Sequence, residues 1–123
     1  NVAPVRTLDL GDALSVEILR EGTGRAARAG SEVLVQYEGR TEDSDTPFAS
    51  TRGLWRPARW VLDPADPARP IEGLARALVG LKQGTQARVH VPGHFAYGLA
   101  GAPSAGIGAH ADLIFALEIV EVR

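Results

Sequence analysis

The sequence predicts an α+β domain, with one short helix against an antiparallel sheet of five strands. Three observations lead there. Apolar and polar residues alternate in five separate short runs, whereas apolar spacings of three and four occur in one run only. The chain also holds 14 glycines and 8 prolines in 123 residues, which calls for many turns and short strands. That length, at 45% hydrophobic content, suits one core rather than two.

Residues 1 to 13 mix Pro4, Gly11 and isolated apolar residues without a sustained period, and read as an N-terminal arm or edge segment. The domain proper is expected over residues 14 to 123. Leu14, Val16 and Ile18 alternate with Ser15 and Glu17 in a first strand, ended by Gly22 and Gly24. A second strand runs from Glu32 to Glu38, with Val33, Val35 and Tyr37 on one face. Residues 39 to 57 form a long polar connection with Phe48 in its middle, and Ala58, Trp60 and Leu62 then resume the period of two in a short third strand. Pro64, Pro67 and Pro70 forbid regular structure. After them Ile71, Leu74, Leu78 and Leu81 recur at helical spacing, which predicts an amphipathic helix of about two to three turns stopped near Gly80 or Gly84. Ala87, Val89 and Val91 make a fourth strand, and Leu113, Phe115, Leu117 and Ile119 a fifth.

Between the last two strands lies a glycine-rich loop carrying one phenol, Tyr97. A loop with large side chains at its roots shapes a pocket.

Composition narrows what that pocket can do. Thirteen basic against 15 acidic residues give a net charge of -2, which supplies no general field for nucleic acid. Without cysteine there are no disulfides, zinc-thiolate sites or cysteine nucleophiles. His90, His94 and His110 lack the paired spacing of a metal site, and no Gly-x-Ser-x-Gly elbow exists. Glu42, Asp43 and Asp45 lack the glycine and closing glutamate of a calcium loop, and Gly22, Gly24 and Ala27 leave no room for a pyrophosphate-binding helix before the strand at Glu32. Neither a cofactor nor a metal is therefore expected. No run approaches the roughly 20 apolar residues of a membrane span. The absence of methionine leads to the expectation of a trimmed or processed chain, for instance one that has lost a signal peptide, and favours a periplasmic or secreted location over the cytoplasm. The segment RGLWRPARW, from Arg52 to Trp60, interleaves arginine with tryptophan as a single-strand or membrane-surface binder does. In an acidic chain it reads as a solvated flap beside the pocket, with Trp55 positioned to contact peptide.

Over Leu14 to Val122 the chain resembles the FKBP-type peptidyl-prolyl cis-trans isomerases. The resemblance is carried, in order, by Gly30 followed by VLVQYEG, by Phe48 and Ser50, by IEGLARALVGLKQGTQARVHV, by the FAYG element and by IGAHADLIFALEI. It implies a five-stranded antiparallel sheet wrapped around one short helix, and an apolar pocket between them that receives a prolyl side chain. The implied lining is Tyr37, Phe48, Trp60, Ile71, Leu74, Tyr97, Ile107 and Phe115. The backbone N–H at Ile71 and the phenol of Tyr97 are implied donors to a ligand carbonyl, while Leu74 and Phe115 meet the proline ring. Core packing is the competing reading for Tyr37 and Phe115, and for the stripe Ile71, Leu74, Leu78, of which only the first turn can touch substrate.

Four positions depart from the family pattern. Ala49 stands where an aspartate usually follows the phenylalanine, so a buried acceptor at the pocket rim is missing. Leu74 replaces a tryptophan at the floor. Gly108 and Ala109 replace two prolines after Ile107, which predicts a more mobile loop. Ala58 replaces an aromatic, for which Trp55 can compensate.

The resemblance implies an isomerase working on Xaa-Pro bonds of folding or unfolded polypeptides, as a monomer, with weakened affinity for the macrolides that the family binds. The alternative is a peptide-binding or chaperone-like module that keeps the groove but has little isomerase activity. A third reading, assembly through the Trp55 flap, entails a concentration-dependent oligomer.

Overall fold

A computed structural model of the chain describes residues 3–51 and 56–123. Its strands are β1 (Arg6–Asp9), β2 (Ser15–Arg20), β3 (Glu32–Thr41), β4 (Ala49–Ser50), β5 (Ala58–Val61), β6 (Gln86–Val91) and β7 (Leu113–Val122), and its helix is α1 (Glu72–Leu78). All strand pairings are antiparallel, in the order β1-β2-β6-β7-β3-β4, with β5 also on β3. The class agrees with the sequence reading, but the described residues form seven strands, not five. Backbone pairing, which needs no apolar period, accounts for both additions. Arg6–Asp9 pairs with Ser15–Ile18 at the outer edge of the sheet. Ala49–Ser50 pairs with Glu38 and Gly39, inside the stretch read from sequence as a continuous polar connection.

The long strands behave as their alternation requires. Val33 and Val35 on β3, Ala87, Val89 and Val91 on β6, and Leu113, Phe115, Leu117 and Ile119 on β7 are all buried. They share one core with Leu14, Val16 and Ile18, with Leu74, Ala77 and Leu78 from the helix, and with Leu81, which the sequence placed on the helical stripe but which lies just beyond the helix end. Each such Val, Leu, Ile or Phe side chain contributes about 1.5–3 kcal/mol by leaving water. The helix ends where its sequence directs, with Val79 extended and Gly80 in a left-handed conformation at φ 92°. It also approaches β6 closely, because a Cβ on Gly73 would run into the Val91 side chain. No helix among the described residues is long and apolar enough to cross a membrane.

On the outer face of the sheet, Glu17 on β2 joins two neighbours on β6. Its Oε1 is 2.7 Å from Nε2 of His90 and accepts from Nε of Arg88 at 3.1 Å. The bond to His90 first, and the Arg88 guanidinium second, hold the Glu17 carboxyl below its ordinary value. A carboxylate with a depressed folded-state pKa stabilises the fold above its unfolded value, near pH 4.5, and loses that contribution as pH falls through the folded value. Glu17→Gln is therefore expected to lower stability by about 0.5–1 kcal/mol at pH 7. Urea denaturation across pH should show the gap between the two proteins closing below about pH 4.

Candidate active site

Tyr37 is the centre around which the predicted pocket residues gather. Its ring lies 5.0 Å from Trp60 and 6.1 Å from Phe115, and Phe48 meets Phe115 edge-on at 5.9 Å. Local pairing explains these positions. Trp60 on β5 is registered with Val33 on β3, and Phe115 on β7 with Gly39 on β3. The bonds that hold the segment carrying Phe48 against β3 include Phe48 N–H to Gly39 O at 2.9 Å, Thr51 N–H to Tyr37 O at 2.9 Å, and Tyr37 N–H to Thr51 Oγ1 at 2.9 Å.

Gly39 is a site residue that the sequence reading passed over. A Cβ there would lie 2.7 Å from Cε1 of Phe115 and 2.9 Å from Cζ of Phe48, so both rings occupy space that any other residue would claim. Only its place in the VLVQYEG stretch pointed to it.

The helix packs against β6 and adds to the same core. Ile71 caps it in an extended conformation, with φ -57° and ψ 155°, and Leu74 lies one turn on, 2% exposed, within the core cluster that includes Phe115 and Ile107. Ile71 itself is half-buried against that cluster. Its carbonyl accepts from the amides of Leu74 and Ala75, while its own N–H donates to no group among the described residues. The first N–H groups of any helix lack intrahelical partners, and here the first of them lies at the pocket edge.

Tyr97 and Ile107 come from one loop, which its own backbone closes. Gly101 N–H donates to Tyr97 O at 3.0 Å, His110 N–H to Gly98 O at 2.8 Å, and Ala102 and Ile107 exchange bonds of 2.8 and 3.1 Å. Gly93 N–H anchors the loop's root on Asp112 Oδ1 at 2.8 Å. Ile107 consequently points inward, 2% exposed, while Tyr97 stands at the rim, 38% exposed, with its hydroxyl unbonded among the described residues. Gly108 and Ala109, just beyond this closure, are exposed, and neither amide donates a backbone hydrogen bond among the described residues. Phe95, also unassigned from sequence, packs half-buried against the core from the same loop, with the Arg76 guanidinium 4.6 Å over its ring.

Ring contacts bring Tyr37, Phe48, Trp60 and Phe115 together, Tyr97 lies near enough to Tyr37 to act on its phenol, and Leu74 and Ile107 belong to the core that these rings and Ile71 pack against. Trp55 lies outside the described residues. Ala49, where an acceptor was expected to be missing, is half-buried on β4 opposite Gly39. Burial first, and the nearby Tyr97 second, push the Tyr37 phenol above its ordinary value, so it stays neutral through the physiological range. The arrangement is an apolar, aromatic wall with a phenol and a free amide at its margin, and it contains neither a nucleophile–base pair nor, among the described residues, a cluster of three metal-ligating side chains. Such a site is suited to binding and orienting an apolar group.

Over most of its length the chain is similar to known proteins. Residues 23–120 match the sequence profile of the family described as FKBP-type peptidyl-prolyl cis-trans isomerase. The chain is 33% identical over 114 residues to the peptidyl-prolyl cis-trans isomerase Mip of Coxiella burnetii, covering 93% of this chain and 46% of that protein. It is 33% identical over 110 residues to the FK506-binding protein of Neisseria meningitidis serogroup A, covering 89% and 96% respectively. The crystal structure of a peptidyl-prolyl cis-trans isomerase from Pseudomonas syringae pv. tomato superposes with a TM-score of 0.80 at 28% identity, covering 94% of this chain and 80% of that one. The chain spans less than half the length of the Coxiella burnetii relative.

Proposed function

The chain belongs to the FKBP-type peptidyl-prolyl cis-trans isomerase family, and on that footing we propose that it accelerates rotation about Xaa-Pro bonds in polypeptides at the site around Tyr37. The observation that carries this reading is the pairing of a tyrosine–tryptophan–phenylalanine wall with two donors that engage no acceptor among the described residues, the Ile71 amide and the Tyr97 hydroxyl.

Rotation about a prolyl amide breaks resonance and no covalent bond, against an uncatalysed barrier of about 20 kcal/mol. The planar amide is the more polar form and loses more on leaving water than the twisted one does. A pocket built from Leu74, Ile107, Phe115 and Trp60 therefore favours the twisted state, provided that the flanking backbone is held. The Ile71 amide and the Tyr97 hydroxyl do the holding, the proline ring rests against Leu74 and Phe115, and each 1.4 kcal/mol of differential binding is worth about tenfold in rate. No proton is transferred. Exchange NMR on an Xaa-Pro peptide tests the reading, since it observes interconversion without a covalent marker.

A second reading, of a peptide-binding module with little isomerase activity, is favoured by Ala49 and by the exposed Gly108 and Ala109. It is separated from the first by whether bound peptide exchanges faster.

The same substitutions bear on inhibitors. With Ala49 at the rim, a macrolide of the type this family binds is expected to bind weakly. Ala49→Asp should raise its affinity about tenfold by restoring a charged acceptor. Isothermal titration would contradict this if the unaltered protein bound as tightly as typical family members, or if Ala49→Asp brought no gain.

A further inference from the structure

A concavity of about 640 Å³ is lined by Ile71, Glu72, Ala75, Arg76 and Val79 along one side of the helical segment, and by none of Tyr37, Trp60 and Phe115. Its lining is apolar, from Leu62, Pro70, Ala75 and Val79, with Arg69 and Arg76 among its polar groups. Val79 is 46% exposed although it follows the last helical residue, so the apolar strip faces solvent. Ile71 belongs to both regions: it packs against the core beside the prolyl site and lines this groove. A polypeptide seated with its proline at Leu74 and Phe115 therefore has a continuous apolar path over Ile71. The path from Ile71 to Val79 is about 12 Å at the rise of a helix, the reach of three to four extended residues.

Charge decides what those residues should be. Of the ionisable groups lining the groove, Glu72 is already paired with Arg76, whose Nε and Nη2 both bond its Oε2, at 2.9 and 2.6 Å. Arg69 has only a backbone acceptor, the carbonyl of Asp66 at 3.2 Å, and no carboxylate among the described residues. The carboxylates of Asp63 and Asp66 accept from the amides of Ala65 and Ala68 in the preceding turns, and neither forms an ion pair with Arg69. Among the described residues Arg69 is thus a cation without an ion-pair partner beside an apolar strip, in a chain whose net charge is -2.

We propose that this groove is an extended substrate subsite which selects, within about four residues of the isomerised proline, client segments carrying an acidic residue, with Arg69 as the specificity-determining side chain. The inference rests on the isomerase reading for the placing of the proline, but the groove's occupancy can be read without catalysis.

The test uses the full chain and octapeptides with one central proline, carrying Glu or Lys three residues before it or three residues after it. The Glu peptide of one of the two placements should exceed its Lys counterpart about three- to tenfold in kcat/KM, a preference that shrinks in high salt. It should also shift the Ala75 and Val79 amide resonances, which a tetrapeptide confined to the prolyl site leaves in place. Arg69→Glu should invert the preference and Arg69→Lys should keep it. Equal efficiencies and equal Kd values for Glu and Lys peptides in both placements, or shifts absent from residues 75–79, would overturn the subsite while leaving the isomerase reading intact. Should no peptide be accelerated, the isomerase reading falls, and the Kd ratio with the shifts at Ala75 and Val79 alone upholds or overturns the groove.

Discussion

Tyr97→Phe combined with Ile107→Ala is expected to reduce kcat/KM toward Xaa-Pro peptides by about two orders of magnitude. The first change removes the only side-chain donor assigned to the substrate backbone, worth roughly 1 kcal/mol if it is made more strongly in the twisted state. The second opens the pocket where the loop residue Ile107, 2% exposed, points inward, at roughly 1–3 kcal/mol of lost contact with the ring. Together these come to about 2–4 kcal/mol, and each 1.4 kcal/mol is tenfold. Tyr97 is 38% exposed, so its hydroxyl can be removed at little cost to the fold. Ile107→Ala leaves a cavity and should cost about 2–5 kcal/mol of stability. The protease-coupled assay is accordingly run well below the melting temperature, with Tyr97→Phe alone as the variant in which folding is not at issue. An unchanged kcat/KM in the double variant would remove both residues from the site.

Gly39→Ala should be nearly as damaging by a different route. The added methyl cannot fit beside the Phe115 and Phe48 rings, 2.7 and 2.9 Å from where it would stand, without moving at least one of them. Displacing well-packed rings costs roughly 1–3 kcal/mol. Because Phe115 is 3% exposed and packed against Tyr37 as well, the strain is relieved most easily by turning Phe48, which is only half-buried. The expected result is a Tm lowered by several degrees together with at least a tenfold loss of kcat/KM, since the wall of the prolyl site is what moves. A variant with the ordinary Tm and activity would mean that the two rings have slack which the structure does not show.

Much of this architecture was legible in the chain because its signals are local. The alternation Val33–Val35–Tyr37 and the run Leu113–Phe115–Leu117–Ile119 specify strand faces directly, and Ile71–Leu74–Leu78 with Gly80 specifies a short helix with its stop. The two strands missed from sequence are those whose formation depends on a distant partner. Arg6–Asp9 is mostly exposed, and Ala49–Ser50 is too short to show any period. The same distinction runs through the site. Tyr37, Trp60, Tyr97 and Phe115 could be named because aromatic residues are conspicuous and their order matched a family pattern. Gly39 could not, because its importance is the volume it leaves to Phe115 and Phe48, a property of the folded pair of strands. The groove along the helix escaped notice for a similar reason. The place of Arg69 beside an apolar strip, and the exposure of Val79 just past the helix, are properties of the folded chain that no spacing announces.

The measurement that bears most directly on the central proposal is exchange NMR on an Xaa-Pro peptide with and without catalytic amounts of the protein. The account predicts cross-peaks between the cis and trans forms within a mixing time in which the free peptide, relaxing over tens of seconds, shows none. The enhancement should be strongly reduced by the Tyr97→Phe, Ile107→Ala double variant. Peptide resonances that shift on binding while cis–trans exchange stays at the uncatalysed rate would contradict it, and would leave a peptide-binding module in its place.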